Sequence, residues 1–217
     1  RKAGVTRLVV PEAFAYGEQL EKVGVAPVST LPLRRALAAG LAWPVYAESS
    51  TVPPEVTAHA YLVMDAQTGQ VLVQKGGAER NYPASITKIM TLALAMEKCG
   101  GDMTQQVTVS PDAVYSLEAG SSHVALQPGE VVSLNDLFHA TILASANDAA
   151  SVIASDVSGG DLTAFVAQMN ARAKELGCMD TTFSCVHGLY DYGNVSTAED
   201  LAKIAAACYA NETYMQA

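Results

Sequence analysis

From Ile86 to Met96 the chain is apolar except at Thr87, Lys88 and Thr91. A helix apolar on every side has no face for water, so other elements must close around it, leaving only an end at the surface. Pro83 fixes the entry to this helix and Cys99-Gly100-Gly101 marks its stop. The turn Tyr82-Pro83-Ala84-Ser85 then delivers Ser85 to the first helical turn, at a cleft. There, unpaired backbone N–H groups and the positive end of the helix dipole favour a developing negative charge. Lys88, three residues on, shares that helix face, so its amine reaches the serine hydroxyl. Burial strips the amine of hydration, and burial and the positive helix end both lower its pKa toward that of a useful base. Ser85 and Lys88 therefore form a complete nucleophile and base pair. The spacing alone is common, and an N-cap serine followed by a solvated lysine accounts for it equally well.

With 217 residues, half of them hydrophobic, the chain suits one globular domain with a substantial core. The net charge of −9 conceals an asymmetry, since residues 1–47 carry six Lys or Arg against three acids and the remainder seven against nineteen. So acidic a body excludes nucleic acid as a partner. Arg34-Arg35 followed by the short apolar run Ala36 to Ala47 has the pattern of a secretory signal cleaved after Ala47. The run is too short to span a bilayer, and an ordinary core helix is the alternative. The expected organisation is an N-terminal extension with signal over residues 1–47, a linker over 48–56 and a domain over 57–217. Cys99, Cys178, Cys185 and Cys208 show no Cys-x-x-Cys spacing and no zinc arrangement, so free thiols, no metal and no cofactor are expected. Cys178 with Cys185 is the one pair worth testing for a disulfide.

Ala60 to Asp65 and Gln70 to Gln74 flank Ala66-Gln67-Thr68-Gly69, which predicts a hairpin. Val107 to Val109 reads as a short strand, Ser110-Pro111-Asp112 as a turn or short helix, and Glu118 to Ser122 as an exposed loop. Ser133 with Asp136 resembles a capping box for a helix through Leu143. That helix breaks at Ala144-Ser145-Ala146-Asn147-Asp148 before another begins, and such a corner buries polar groups unless they have partners or work. Mutual capping of the two helix ends by Ser145 and Asn147 is the plain explanation. Asp161 to Leu176 is an amphipathic helix stopped by Gly177. A turn-rich stretch from Thr182 to Val195 leads to a second capping box, Ser196 to Glu199, and a helix carrying Leu201, Ile204 and Cys208.

Ser85-x-x-Lys88 after Tyr-Pro-Ala, Ser145-x-Asn147, His187-Gly188-Leu189, and Ser196-Thr197-Ala198-x-Asp200-Leu201-Ala202 together resemble one family. It is that of the low-molecular-weight penicillin-binding proteins, the serine D-alanyl-D-alanine carboxypeptidases, and the likeness runs over about residues 57–210. The resemblance implies an α/β (α+β) domain of the β-lactamase and transpeptidase kind, with helices around an antiparallel sheet. It implies that Ser85 attacks the bond between the terminal D-alanines of a peptidoglycan stem peptide and forms an acyl-enzyme, with Lys88 as general base. Ser145 would relay a proton to the departing D-alanine, Asn147 would bind the substrate amide and hold Lys88, and the Ser85 N–H would supply half of an oxyanion hole. β-Lactams would acylate the same serine. The protein would work outside the cytoplasm at the cell envelope, with membrane association through a C-terminal anchor absent from this stretch.

There are two departures. Cys185-Val186 stands where the family has Asn-Pro, in a segment taken as structural, so His187 is read as a satisfied loop histidine without a catalytic role. The family's Lys-Thr/Ser-Gly strand is absent, Lys75-Gly76-Gly77 being a turn at the end of the first hairpin. The chain is therefore expected to be truncated before the C-terminal strands, catalytically incomplete, with a sheet of only two strands. A class A-like β-lactamase is the first competing reading, although no acidic loop stands where it would activate a deacylating water. A non-catalytic peptidoglycan-binding module is the second.

Overall fold

The computed structural model describes Leu8–Val9 and residues 55–216. The signal-like run over 34–47 and the linker residues up to 54 lie outside the described residues. The chain divides into two compact units, residues 1–11 with 60–217 and residues 12–59. In the second, the described residues 55–59 hold neither helix nor strand.

The apolar run becomes helix α1, Thr87–Cys99, ended by Gly100 in the left-handed conformation (φ 63°). It is enclosed as its composition requires. On one side Leu92, Ala95 and Met96 join a cluster with Val107, Phe138 and Ile153, and on the other Met90 and Leu94 join Phe165, Met169, Phe183 and Ile204. Each side chain of this size contributes about 1.5–3 kcal/mol on burial. Truncating the fully enclosed Phe138 ring to Ala would cost about 3–5 kcal/mol.

The hairpin is present as β2 (Tyr61–Asp65) and β3 (Val71–Lys75), antiparallel, after β1 (Leu8–Val9). Asp65 Oδ1 accepts the N–H groups of Gln67 and Thr68, and Gly69 takes φ 72°, so the turn is stitched locally. The sheet is three-stranded, order β1-β2-β3, because Leu8–Val9 pairs antiparallel with Met64 and Asp65. That corrects the expectation of two strands, and the reason is general: an unpaired strand edge is filled by whatever backbone lies in register with it.

A second ladder joins β4 (Gln106–Thr108) to β5 (Val131–Ser133). Only its first strand is readable in the sequence, since three residues show no alternation to speak of.

The remaining helices are α2 (Pro111–Tyr115), α3 (Leu134–Leu143), α4 (Asn147–Val157), α5 (Leu162–Glu175), α6 (Ala198–Ala210) and α7 (Glu212–Gln216). Ser110, Ser133 and Asp161 cap α2, α3 and α5, each accepting the N–H three residues on. At α6 the cap falls one residue later than expected. Thr197 Oγ1 accepts the Asp200 N–H, while the Ser196 hydroxyl turns to Thr181 Oγ1 (2.8 Å). The Glu199 N–H, which Ser196 would have capped, goes to the Gly77 carbonyl instead. Asp200 is 3 % exposed. Its carboxylate accepts Thr181 Oγ1, the Asp180 N–H and Lys203 Nζ, which anchors the α6 N-terminus to residues 180–181.

The result is an α+β domain whose helices gather on α1, with α6 packed against β2 through Ala202, Leu62 and Met64. All four cysteines are free, and Cys178 and Cys185 face different partners, the Asp200 and Leu189 carbonyls.

Candidate active site

Ser85 lies in a one-turn 3-10 helix, Ala84–Ile86, just ahead of α1. Ala84 holds φ 47°, a conformation strained for a residue with a Cβ, and the exposed Ser85 follows it. Among the described residues no acceptor is paired with the Ser85 N–H. The turn is pinned from beneath: Thr87 is fully buried and its Oγ1 accepts Asn194 Nδ2 (2.9 Å), while Thr91 Oγ1 donates to the Val186 carbonyl (2.7 Å).

Both partners belong to the loop that follows α5. That loop is held at its ends by paired backbone bonds, Thr182 with Val195 and Asn81 with Ser196, and in between by Asn170, whose amide bonds both backbone groups of Phe183. So tethered, the loop presses Gly188 onto the nucleophile turn. A Cβ at Gly188 would sit 1.8 Å from the Ala84 carbonyl oxygen, and its φ of 83° disfavours any other residue as well.

Lys88 Nζ lies 3.1 Å from Ser85 Oγ and 2.6 Å from the His187 carbonyl oxygen. The side chain is 4 % exposed. Burial drives its pKa down to about 8, with the nearby Cys185 sulfur pulling the other way. Burial is thus the largest cause of the lowered value. A neutral Nζ has two hydrogens and one lone pair. Donating to the His187 carbonyl leaves the lone pair free to face the serine O–H.

His187 makes no side-chain hydrogen bond to Ser85 or Lys88 among the described residues, but its backbone carbonyl accepts from Lys88 Nζ. Its ring accepts the Leu189 N–H at Nδ1, and burial, then the Lys88 charge, lower its pKa to about 4, so it is neutral at pH 7. Gly188, Asn194 and the His187 carbonyl are the site components that residue-type reasoning missed. The His-Gly-Leu triplet was the one signal for the first and last of these, and Asn194 had none.

Ser145 and Asn147 stand at the corner between α3 and α4, and α4 packs along α1. Ser145 holds φ 52°, and the α4 cap is Ala146, without a side-chain bond. Mutual capping is therefore not what keeps these residues polar. The corner is held instead by Asp148, 1 % exposed, whose carboxylate accepts the Val124, Leu126 and Ala149 N–H groups, and by the Asn147 N–H to the Ser122 carbonyl (2.8 Å). Among the described residues no hydrogen bond joins Ser145 or Asn147 to Ser85 or Lys88. The structure brings together Ser85 and Lys88 but does not bond the corner to them. No group of three His, Cys, Asp or Glu side chains converges on a metal position among the described residues.

An exposed hydroxyl beside a buried amine at the head of the central helix of an α+β fold is the Ser-x-x-Lys arrangement. Comparison narrows this further. The chain belongs to the D-alanyl-D-alanine carboxypeptidase family, whose model matches residues 47–216. It is 39 % identical to the D-alanyl-D-alanine carboxypeptidase DacC of Escherichia coli (strain K12), over 81 % of this chain and 47 % of that protein. It is 35 % identical to DacF of Bacillus subtilis (strain 168), over 68 % of this chain and 38 % of that one. Among solved structures it resembles penicillin binding protein 6B from Escherichia coli with a TM-score of 0.69 at 36 % identity, covering 76 % of this chain and 54 % of the other. The chain spans less than half the length of each of these two curated relatives.

Proposed function

We propose that the protein of which this chain is part is a serine D-alanyl-D-alanine carboxypeptidase that trims the terminal D-alanine from peptidoglycan stem peptides. The observation that carries the reading is the 3.1 Å approach of Lys88 Nζ to Ser85 Oγ, with the amine buried and its pKa lowered to about 8. Lys88 takes the proton as Ser85 Oγ attacks the carbonyl between the two D-alanines, and the Ser85 N–H donates to the oxyanion. Ser145 passes a proton to the departing amine, and Asn147 binds the substrate's amide. Water then attacks the acyl-enzyme ester, releasing the shortened peptide and restoring the serine O–H. A β-lactam ring opened by the same attack leaves a slowly hydrolysed ester on Ser85. The substrate lies in the cell envelope, so the reading includes export.

Labelling with a fluorescent penicillin tests this, followed by mapping of the labelled peptide and by measuring D-alanine release from a D-Ala-D-Ala peptide. Label on Ser85 together with release supports the carboxypeptidase. Absence of label at Ser85, or hydrolysis of nitrocefin at lactamase rates, refutes it.

A further inference from the structure

The His187 carbonyl that Lys88 bonds belongs to a peptide unit gripped at its other end by Cys185. In a trans peptide the carbonyl of one residue and the N–H of the next lie in one plane and point opposite ways. The 187–188 unit is such a plane. Its carbonyl accepts Lys88 Nζ at 2.6 Å, and its N–H, that of Gly188, donates to Cys185 Sγ at 3.2 Å. The same thiol donates its S–H to the Leu189 carbonyl (3.8 Å), so one sulfur ties residues 188 and 189 back to residue 185. Residue 185 is flanked by fixed backbone. Both backbone groups of Phe183 bond Asn170, the Ser184 N–H goes to Asn194 Oδ1 (3.3 Å), and the Val186 carbonyl takes Thr91 Oγ1 (2.7 Å).

A grip is needed there. Gly188 holds φ 83° without a Cβ to restrain it, so its peptide planes turn more freely than those of other residues. The bond from the Leu189 N–H to His187 Nδ1 lies inside the turn and does not set the direction in which the turn faces. The thiol does. A hydrogen bond on the Gly188 N–H also polarises the carbonyl across the plane, which strengthens its hold on the amine. Cys185 is free, half-buried, and close enough to Lys88 to act on its charge. We propose that Cys185 is a positioning residue for the general base, its sulfur setting the 187–188 peptide plane so that the His187 carbonyl keeps the Lys88 lone pair turned toward Ser85. This rests on the reading of Ser85 as nucleophile and Lys88 as base.

The test compares Cys185→Ser, Cys185→Val and Cys185→Ala with the unsubstituted full-length protein, following acylation by a fluorescent penicillin. The first keeps a donor and an acceptor, the second keeps bulk without either, and the third keeps neither. At saturating penicillin the acylation rate constant should fall about tenfold to hundredfold in Cys185→Val and Cys185→Ala, the effect of a misplaced base, and stay within about threefold in Cys185→Ser. The half-saturating concentration and the final extent of labelling should not change, because Ser85 and the surfaces that receive penicillin are untouched. Cys185→Val carries the comparison if Cys185→Ala fails to fold. Rates within about twofold of the original in both overturn the proposal, as does a Cys185→Ser protein as slow as Cys185→Val. So does a loss confined to the extent of labelling, which marks a loop that needs the thiol for packing alone. Absence of label at Ser85 in the unsubstituted protein removes the base and the role of Cys185 together, whereas label at Ser85 with equal rates throughout removes Cys185 alone.

Discussion

The two polar corners of the site are built on opposite plans. At the nucleophile corner the working side chains are bonded to each other and to a distant loop: Lys88 to Ser85 and the His187 carbonyl, Thr87 to Asn194, Thr91 to the Val186 carbonyl. At the Ser145-Ala146-Asn147 corner a neighbouring residue, Asp148, holds the backbone, and the side chains of Ser145 and Asn147, to which we assign substrate contacts, are left without a bond to the first corner. The difference shows how a site can be rigid and still receptive. The base must be dry and oriented before substrate arrives, because its pKa depends on burial. Groups that bind substrate gain nothing from being satisfied in advance.

The strongest way to break this comparison is Ser85→Ala. Penicillin labelling should vanish while thermal stability moves by less than about 0.5 kcal/mol, since the hydroxyl is exposed. Persistent labelling would move the nucleophile elsewhere. Next comes Lys88→Met, which keeps the buried volume and removes the amine, with acylation expected to fall by about 10²–10⁴-fold. The intact chain should show the matching pH profile. Only neutral Lys88 accepts a proton, so acylation should drop about tenfold per pH unit below a pKa of about 8 and level off above it. An ascending limb centred near the ordinary lysine value would show that the amine is not dry.

Gly188→Ala sharpens the role of the loop. With a Cβ 1.8 Å from the Ala84 carbonyl, the loop must lift off the nucleophile turn. A stability loss of about 1–3 kcal/mol should accompany slow acylation, and an unchanged rate would show that the loop does not position the turn. The smallest effect on acylation is expected from Asp148→Ala, which strands the Val124 and Leu126 N–H groups and should cost about 1–3 kcal/mol in chemical unfolding. Penicillin labelling at Ser85 should survive it, because the nucleophile corner is bonded independently. Parallel loss of labelling would show that the two corners are one unit.

Much of the molecule was legible because its signals are local. The α1 run, the Gly100 stop, the cap at Ser133, and the Ala66-to-Gly69 turn each depend on residues close to one another in the chain. What was missed depends on partners far away in the chain. Strand β5 exists because Val107 lies opposite Val132, and the α6 cap moved because the Ser196 hydroxyl is bonded to Thr181 and the Glu199 N–H to the Gly77 carbonyl.

The sequence by itself determined that Ser85 and Lys88 share a helix face at the mouth of a buried helix, since three residues of helix bring them together whatever else the chain does. Tertiary structure alone decided that the amine is dry, that a backbone carbonyl 99 residues away aims it, and that Gly188 touches the turn bearing the serine. Desolvation and orientation are properties of what surrounds a group, and the loop of residues 182–195 that surrounds Lys88 reaches it only once the chain has folded.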